Sequence, residues 1–585
     1  MPDLSRLLSA KAPLTLASVA RGAQPLVLAD LARAAHGSAQ GGRAVFIASD
    51  EAAMRATGEA AAFFAPELRV IEFPSWDCLP YDRASPALSI SARRLAALHR
   101  LQQAPAGPEL VVTTINAVLQ RVLTPFRIRE SVRLLKPGME IGRESLIALL
   151  QRQGYSRTDT VADAGEYAVR GSLFDIFPSG LEGGLRLDFF GDELETLRLF
   201  DPNTQRSIGE VPEHLLLPAS EALLDDDTVK RFRTRYREAF GANATADPLY
   251  QAVSDGRRLA GMEHWLPLFE DRLTTLFDHL GKHDLVLIDN AALGAADERL
   301  GDISDYFASR SETGGKAAGS YRPLAPGALY LAREEFDARL AELPIHCADL
   351  FAQPESAAVI DFGFGSGRDF APERARGDNV YEAAATYLTG QAKRGRKAII
   401  AAYTSGSRAR LASILGEAAR PAPVIADSWQ EALGLAAKGA PVALVLPLET
   451  GFANDQLEVV TEQDILGDRL VRRKKRKKSA DAFLAELSAL TPGDLVVHMD
   501  HGIGRYEGLQ SVPVGQSPHD CVMLVYAGGD KLYIPVENLE VLSRYGSDSE
   551  LVALDKLGGE AWQKRRARLK ERIREIAHEL LKVAA

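Results

Sequence analysis

Gly165-Glu166-Tyr167-Ala168-Val169-Arg170-Gly171-Ser172-Leu173-Phe174-Asp175-Ile176-Phe177-Pro178, followed by Leu185-Arg186-Leu187-Asp188-Phe189-Phe190, is the stretch that decides the architecture. Successive side chains of a strand face opposite sides. Leu185, Leu187 and Phe189 therefore share one face, and Arg186, Asp188 and Phe190 share the other. The first set suits a core. The second leaves an arginine and an aromatic together on an outer face. Such residues dominate interface hot spots, because each covers much area with few rotors and Arg pairs bidentately with carboxylates. Turn signals at Pro178-Ser179-Gly180, Gly183-Gly184 and Gly191-Asp192 bound the segments. Residues 131–216 thus read as a small antiparallel module. From these residues alone, an interaction face and an ordinary surface both remain open.

Upstream, over residues 1–130, apolar runs at 25–29, 44–48, 70–73 and 110–114 alternate with Ala-rich amphipathic segments such as 90–103. That alternation is the signature of a parallel sheet flanked by helices. Downstream, the α/β pattern resumes over 217–348, with a helical region at 229–240 and a buried strand at 285–289. The antiparallel module is therefore read as an insertion. Residues 301–326, rich in Gly, Ser and Ala, read as a linker or long loop. A second α/β domain of unknown role is expected over 349–466, with strands at 398–402 and 442–446.

The chain then carries seven consecutive basic residues, Arg472, Arg473, Lys474, Lys475, Arg476, Lys477 and Lys478. A like-charge block of this length repels itself and stays solvated. Residues 467–485 therefore read as a hydrated linker, with contact to DNA phosphates and a targeting signal as the alternatives. Beyond it, 486–546 turns all-β, with short strands at 494–498, 504–509, 521–526 and 531–535. Residues 547–585 end in a charged helix, 559–583, with no Gly or Pro stop signal, so continuation past Ala585 is expected.

A chain of 585 residues is too long for one core, since domains run to roughly 100–200 residues. The formal charge of -10 argues against a surface that coats nucleic acid indiscriminately. No apolar run approaches the roughly 20 residues that cross a bilayer, and no signal peptide is read at the N-terminus. Cys78, Cys347 and Cys521 have no metal spacing, and their scarcity fits a reducing cytoplasm. His498 and His501 lie close, but no carboxylate or Cys set completes a metal site. Gly502 and Gly504 read as a tight turn or bulge.

The stretch at 165–190 closely resembles domain 2 of the excision-repair helicase UvrB and its copy in bacterial transcription-repair coupling factors. Further on, Val497-His498-Met499-Asp500-His501-Gly502-Ile503-Gly504-Arg505-Tyr506 and Lys531-Leu532-Tyr533-Ile534-Pro535 resemble the RNA-polymerase-interacting domain of those factors. That domain is similar to the CarD regulators, and UvrB lacks it, so the conjunction resembles the N-terminal portion of a coupling factor. The resemblance implies a multidomain α/β architecture. A degenerate P-loop-type parallel-sheet domain would hold the inserted UvrB domain-2-like module, and a second α/β domain would follow. An SH3/Tudor-like, CarD-like small β-barrel and a C-terminal helix leading to a translocase would complete it. It also implies that Arg170, Arg186 and Phe190 contact UvrA. The β subunit of RNA polymerase would pair with an exposed edge of the barrel, near the loop 508–513 with Leu509, Val512 and Pro513. Leu509 and Val512 as plain barrel core is the other reading.

A nucleotide motor needs a Gly-rich loop ending in Gly-Lys-Ser/Thr to hold phosphates. Gly281-Lys282-His283 and Gly315-Lys316-Ala317 lack the hydroxyl residue and the upstream glycines. At the first strand, where UvrB carries this loop, stands Ser18-Val19-Ala20-Arg21-Gly22-Ala23, without a lysine. Leu285-Val286-Leu287-Ile288-Asp289-Asn290 keeps one Asp but not the following Glu that would orient a water. Between Leu79-Pro80-Tyr81-Asp82 and Ile90 there is no room for the aromatic hairpin that UvrB threads into DNA, so damage verification is not expected. No catalysis, cofactor or metal is expected in these residues, and ATP would belong to a motor beyond them. The expected function is an adaptor in transcription-coupled excision repair. It would be monomeric, cytoplasmic, clear of membranes, and in weak or indirect contact with DNA. The alternatives are an ATP-dependent translocase, if a motor completes the chain, and a CarD-like transcription regulator.

Overall fold

The computed structural model describes residues 4–241, 245–313, 321–343, 345–418 and 421–467. In the C-terminal part it describes residues 493, 495–498, 501–514, 517–535, 542–544 and 554–557. The chain divides into two compact units between Arg473 and Lys474.

The first unit opens with β1 (Thr15–Val19), β2 (Ala44–Ala48), β3 (Arg69–Phe73) and β4 (Glu109–Thr114). It then leaves this sheet for β5 (Arg133–Leu135), β6 (Ser156–Arg157), β7 (Glu166–Arg170), β8 (Leu173–Ile176), β9 (Gly184–Phe190), β10 (Glu193–Phe200), β11 (Ser207–Glu210) and β12 (His214–Leu216). It returns with β13 (Leu285–Asp289), β14 (His346–Ala348), β15 (Val359–Ser366), β16 (Lys397–Ala402), β17 (Val424–Ile425), β18 (Val442–Val445), β19 (Phe452–Ala453) and β20 (Leu457–Thr461). Twelve strands make one sheet in the order β17-β18-β16-β20-β19-β15-β1-β14-β13-β2-β4-β3. Only the two-residue β19 runs antiparallel to its neighbours. β2, β4, β13 and β20 are buried at every position, as strands are when helices cover both faces of a parallel sheet.

Three expectations need correction. The α/β segment 349–466 does not stand apart as a second domain. β15 lies parallel to β1, with Thr15 opposite Val359 and Leu16 opposite Ile360. Phe64 meets Trp429 edge-to-face at 4.7 Å inside one shared core. An interior strand must satisfy backbone groups on both edges, and a single sequence does not say which distant run does so for β1. The run 25–29 is not a strand. It lies in the helix Gln24–Gly37, where Pro25 sits in the first turn and its missing N–H is no loss. The proposed linker is helical over its first half, within Asn290–Thr313. Ala292, Ala296 and Ile303 carry that helix into the core, a spacing that the Gly/Ser/Ala composition hid.

Between β4 and β13 lies a separate sheet, antiparallel except where β6 runs parallel to β7. β6 to β11 form a six-stranded sheet in the order β11-β10-β9-β8-β7-β6, and β5 pairs with β12 beside it. Leu185, Leu187 and Phe189 pack with Tyr167, Phe174 and the helix Arg143–Arg152, which contributes Leu146 and Leu150.

The second unit is a five-stranded antiparallel sheet of β21 (Leu495–His498), β22 (Gly502–Val514), β23 (Ser517–Val525), β24 (Lys531–Pro535) and β25 (Leu542–Arg544). Its order is β24-β23-β22-β21-β25, over a core of Val496, Tyr506, Val522, Leu524, Tyr526 and Ile534. Residues 508–513, expected as a loop, are strand: the β22–β23 ladder runs on to Val514 opposite Ser517. The basic run 472–478 and the expected helix 559–583 lie outside the described residues.

Candidate protein-interaction surfaces

On the module, register decides which side chains stand together. Asp175 lies opposite Arg186 across β8 and β9, on the face turned away from the helix Arg143–Arg152. Arg186 grips both carboxylate oxygens of Asp175, through Nε at 2.7 Å and Nη2 at 2.9 Å. Its guanidinium also lies over the Phe200 ring, 4.8 Å from the centroid. Phe200 lies across Gly184 so closely that a Cβ there would come within 2.1 Å of the ring. A glycine is therefore required opposite Phe200. Arg186 is thus half-buried, and its Asp175 partner is buried.

Phe190 differs. It caps the end of β9 opposite Glu193 and is 79% exposed. It is the barest large apolar side chain among the described residues, ahead of Ile208 at 72% and Phe351 at 71%. Arg170 is exposed too, held by hydrogen bonds to the Asp159 carbonyl at 2.7 Å and to Thr160 Oγ1 at 2.8 Å. The three residues singled out in the sequence therefore share one face but not one condition. Phe190 and Arg170 are presented outward, and Arg186 is clamped between Asp175 and Phe200. Asp175 and Phe200 were missed, because their signal is cross-strand register rather than any local pattern.

In the second unit, β21 pairs with β22 only over Gly502 to Arg505. The Gly493 N–H still reaches the Tyr506 carbonyl at 2.8 Å, and from Gly508 to Val514, among the described residues, the β22 ladder runs on one edge only, with β23. Leu509, Val512 and Pro513 are all in this half-paired stretch, opposite Val522, His519 and Pro518. Free backbone groups on an edge are a template for another strand. The two histidines have a structural part: the His501 N–H donates to His498 Nδ1 at 3.3 Å, and the rings lie 4.5 Å apart. Gly502 takes a left-handed φ of 81°, as a turn requires. Gly504 has a different reason, since a Cβ there would press on the Tyr526 ring at 3.0 Å.

The nominal phosphate loop lies between β1 and the helix Gln24–Gly37. Its Gly22 faces the backbone of Thr450, whose carbonyl oxygen would lie 2.1 Å from a Cβ at that position. The protein's own chain thus sits on the turn. A cleft of about 220 Å³ remains, lined by Arg21, Asp50, Asp289 and Glu449 among others. A more open cleft of about 710 Å³ lies against Ser18, Ala20 and Arg21 of the same loop. Burial raises the Asp289 carboxyl, although the Ala291 N–H bonds it at 3.0 Å. Gly22→Val is expected to destabilise the first unit by about 1–3 kcal/mol, read as a lowered urea midpoint, since an overpacked site must shift backbone. Burial pushes the Cys78 thiol up to about 12 and Cys347 up to about 11, so neither is an activated nucleophile.

An exposed aromatic on one sheet and a half-paired strand edge on another are thus the features that stand out. Residues 134–221 match the UvrB interaction domain, and residues 490–546 match the CarD-like/TRCF RID domain. The chain is of the class that carries both modules together. It is 32% identical to a transcription-repair-coupling factor of Rickettsia bellii, over 92% of this chain and 47% of that protein. The corresponding factor of Escherichia coli is 33% identical over 93% of this chain and 46% of its own length. That of Haemophilus influenzae is 33% identical over 88% and 44%. The chain is similar to transcription-repair coupling factors along nearly its whole length, and spans about half the length of these curated relatives. Among the described residues no helix is long and apolar enough to cross a membrane.

Proposed function

We propose that this chain is the recruiting part of a transcription-coupled excision-repair factor. The module at 134–221 captures UvrA through Phe190 and Arg170, with Arg186 behind them. The half-paired edge of β22 adds to the β subunit of an RNA polymerase stalled at DNA damage, near Leu509, Val512 and Pro513. The five-stranded sheet is read as a small barrel of SH3/Tudor type. The twelve-stranded sheet is read as a P-loop-type fold that has lost its nucleotide. The chain works as a cytoplasmic monomer, without metal or cofactor of its own and with weak DNA contact through the basic run 472–478.

The observation that carries this reading is the joint presence of two interaction modules in one chain. The purified chain is expected to retain UvrA and RNA polymerase together on beads, and to show no DNA-stimulated ATP turnover. Turnover would overturn the silent-scaffold part of the reading. Retention of polymerase alone would reduce the chain to a CarD-like regulator, and retention of neither would end the adaptor reading.

A further inference from the structure

Register on the module places Arg198 of β10 directly opposite Arg186 of β9. Asp175 stands beyond Arg186, and Glu210 beyond Arg198. A row across four strands thus reads Asp175, Arg186, Arg198, Glu210, on the same face as Phe190. Like charges directly opposite each other on antiparallel strands repel, so the centre of this row is unfavourable in the isolated module.

The two ends of the row differ. Asp175 is buried and holds Arg186 through two short bonds. Glu210 is 71% exposed and reaches Arg198 Nε only at 3.5 Å, while Arg198 is 40% exposed. Among the described residues Arg198 has no other ion pair or side-chain hydrogen bond. Loose, exposed pairs of this kind contribute little and are readily exchanged.

We propose that Arg198 is a further capture residue: the Arg186–Arg198 pair receives a carboxylate of UvrA, and Glu210 occupies Arg198 until the partner displaces it. This rests on the reading of residues 134–221 as the UvrA-capturing module. A carboxylate set between two guanidiniums converts their repulsion into charge-assisted hydrogen bonds. The planar fork of Arg, unlike a lysine, can offer two donors to such a group. Glu210 thereby acts as an internal competitor, and its removal has the opposite sign to removal of Arg198.

The test is titration of UvrA against the wild-type chain, Arg198→Ala, Arg198→Glu, Glu210→Ala and Phe190→Ala, with the melting temperature of each. Arg198→Ala is expected to weaken capture about tenfold and Arg198→Glu further, as for a contact near an interface centre. Glu210→Ala is expected to tighten capture about threefold, since a competing surface charge is removed. All four should melt like the wild type. Arg198→Ala within twofold of wild type, while Phe190→Ala is lost, overturns this inference and leaves the UvrA reading standing. Weakening by Glu210→Ala overturns the displacement, and that variant decides the matter even if an Arg198 substitution were to lower the melting temperature. Wild-type binding by Phe190→Ala, or no capture by any chain, overturns the module reading itself.

Discussion

Replacing Glu221 with alanine will lower the stability of the first unit by about 3–5 kcal/mol, because it strands a buried charge. Arg94 and Glu221 are both fully buried. Arg94 Nε donates to Glu221 Oε1 at 2.6 Å, and Trp76 Nε1 donates to the same oxygen at 2.8 Å. The second oxygen accepts from Arg94 Nη2 at 3.3 Å, and Arg94 Nη1 donates to the Pro74 carbonyl at 2.8 Å. The guanidinium lies over the Phe73 ring at 4.4 Å. Without the carboxylate, this cation keeps its desolvation cost and loses its counter-ion. Urea unfolding followed by tryptophan fluorescence should show the loss. The double variant Arg94→Met/Glu221→Leu should cost less than Glu221→Ala alone, since no charge then remains buried. A single variant within about 1 kcal/mol of wild type would contradict this account of the junction. The pair matters for function too: Glu221 closes the inserted module, and Arg94 belongs to the body helix Leu88–Leu101. The pair thus ties the end of the module to the body.

Phe190→Ala will weaken UvrA capture by about 2 kcal/mol or more, roughly thirtyfold, with the melting temperature unchanged. The ring is 79% exposed, so its removal opens no cavity and costs the fold little. Arg186→Ala will weaken capture as well, but by another route. It leaves Asp175 buried without its partner and uncovers Phe200. Its melting temperature must therefore fall together with its affinity. Equal melting temperatures for the two variants would contradict the clamping of Asp175 and Phe200 by Arg186. Unchanged capture by Phe190→Ala would remove the anchor on which the module reading stands.

Much of this was legible in the residues. The alternation Leu185, Leu187, Phe189 against Arg186, Asp188, Phe190 fixed two faces, because a strand has a period of two whatever it packs against. The missing Gly-Lys-Ser/Thr in Ser18-Val19-Ala20-Arg21-Gly22-Ala23 could be read directly, because phosphate binding depends on a short local run. Less was legible where composition stood in for period. The Gly, Ser and Ala of 301–326 suggested a linker, and up to Thr313 the structure has a helix whose inner side is seated by Ile303.

The order of local elements, the insertion and the two module signatures came from the sequence by itself, because each is written in contiguous residues. The tertiary structure alone decided which strands lie side by side. It joined β15 to β1 and so made one sheet of two expected domains. It turned Arg186 from a free contact into a clamped one through Asp175, and set Arg198 opposite it. Pairing between distant strands is fixed by which partner best satisfies both backbone edges and side-chain packing at once. That is a property of the folded whole, and no local run of residues encodes it.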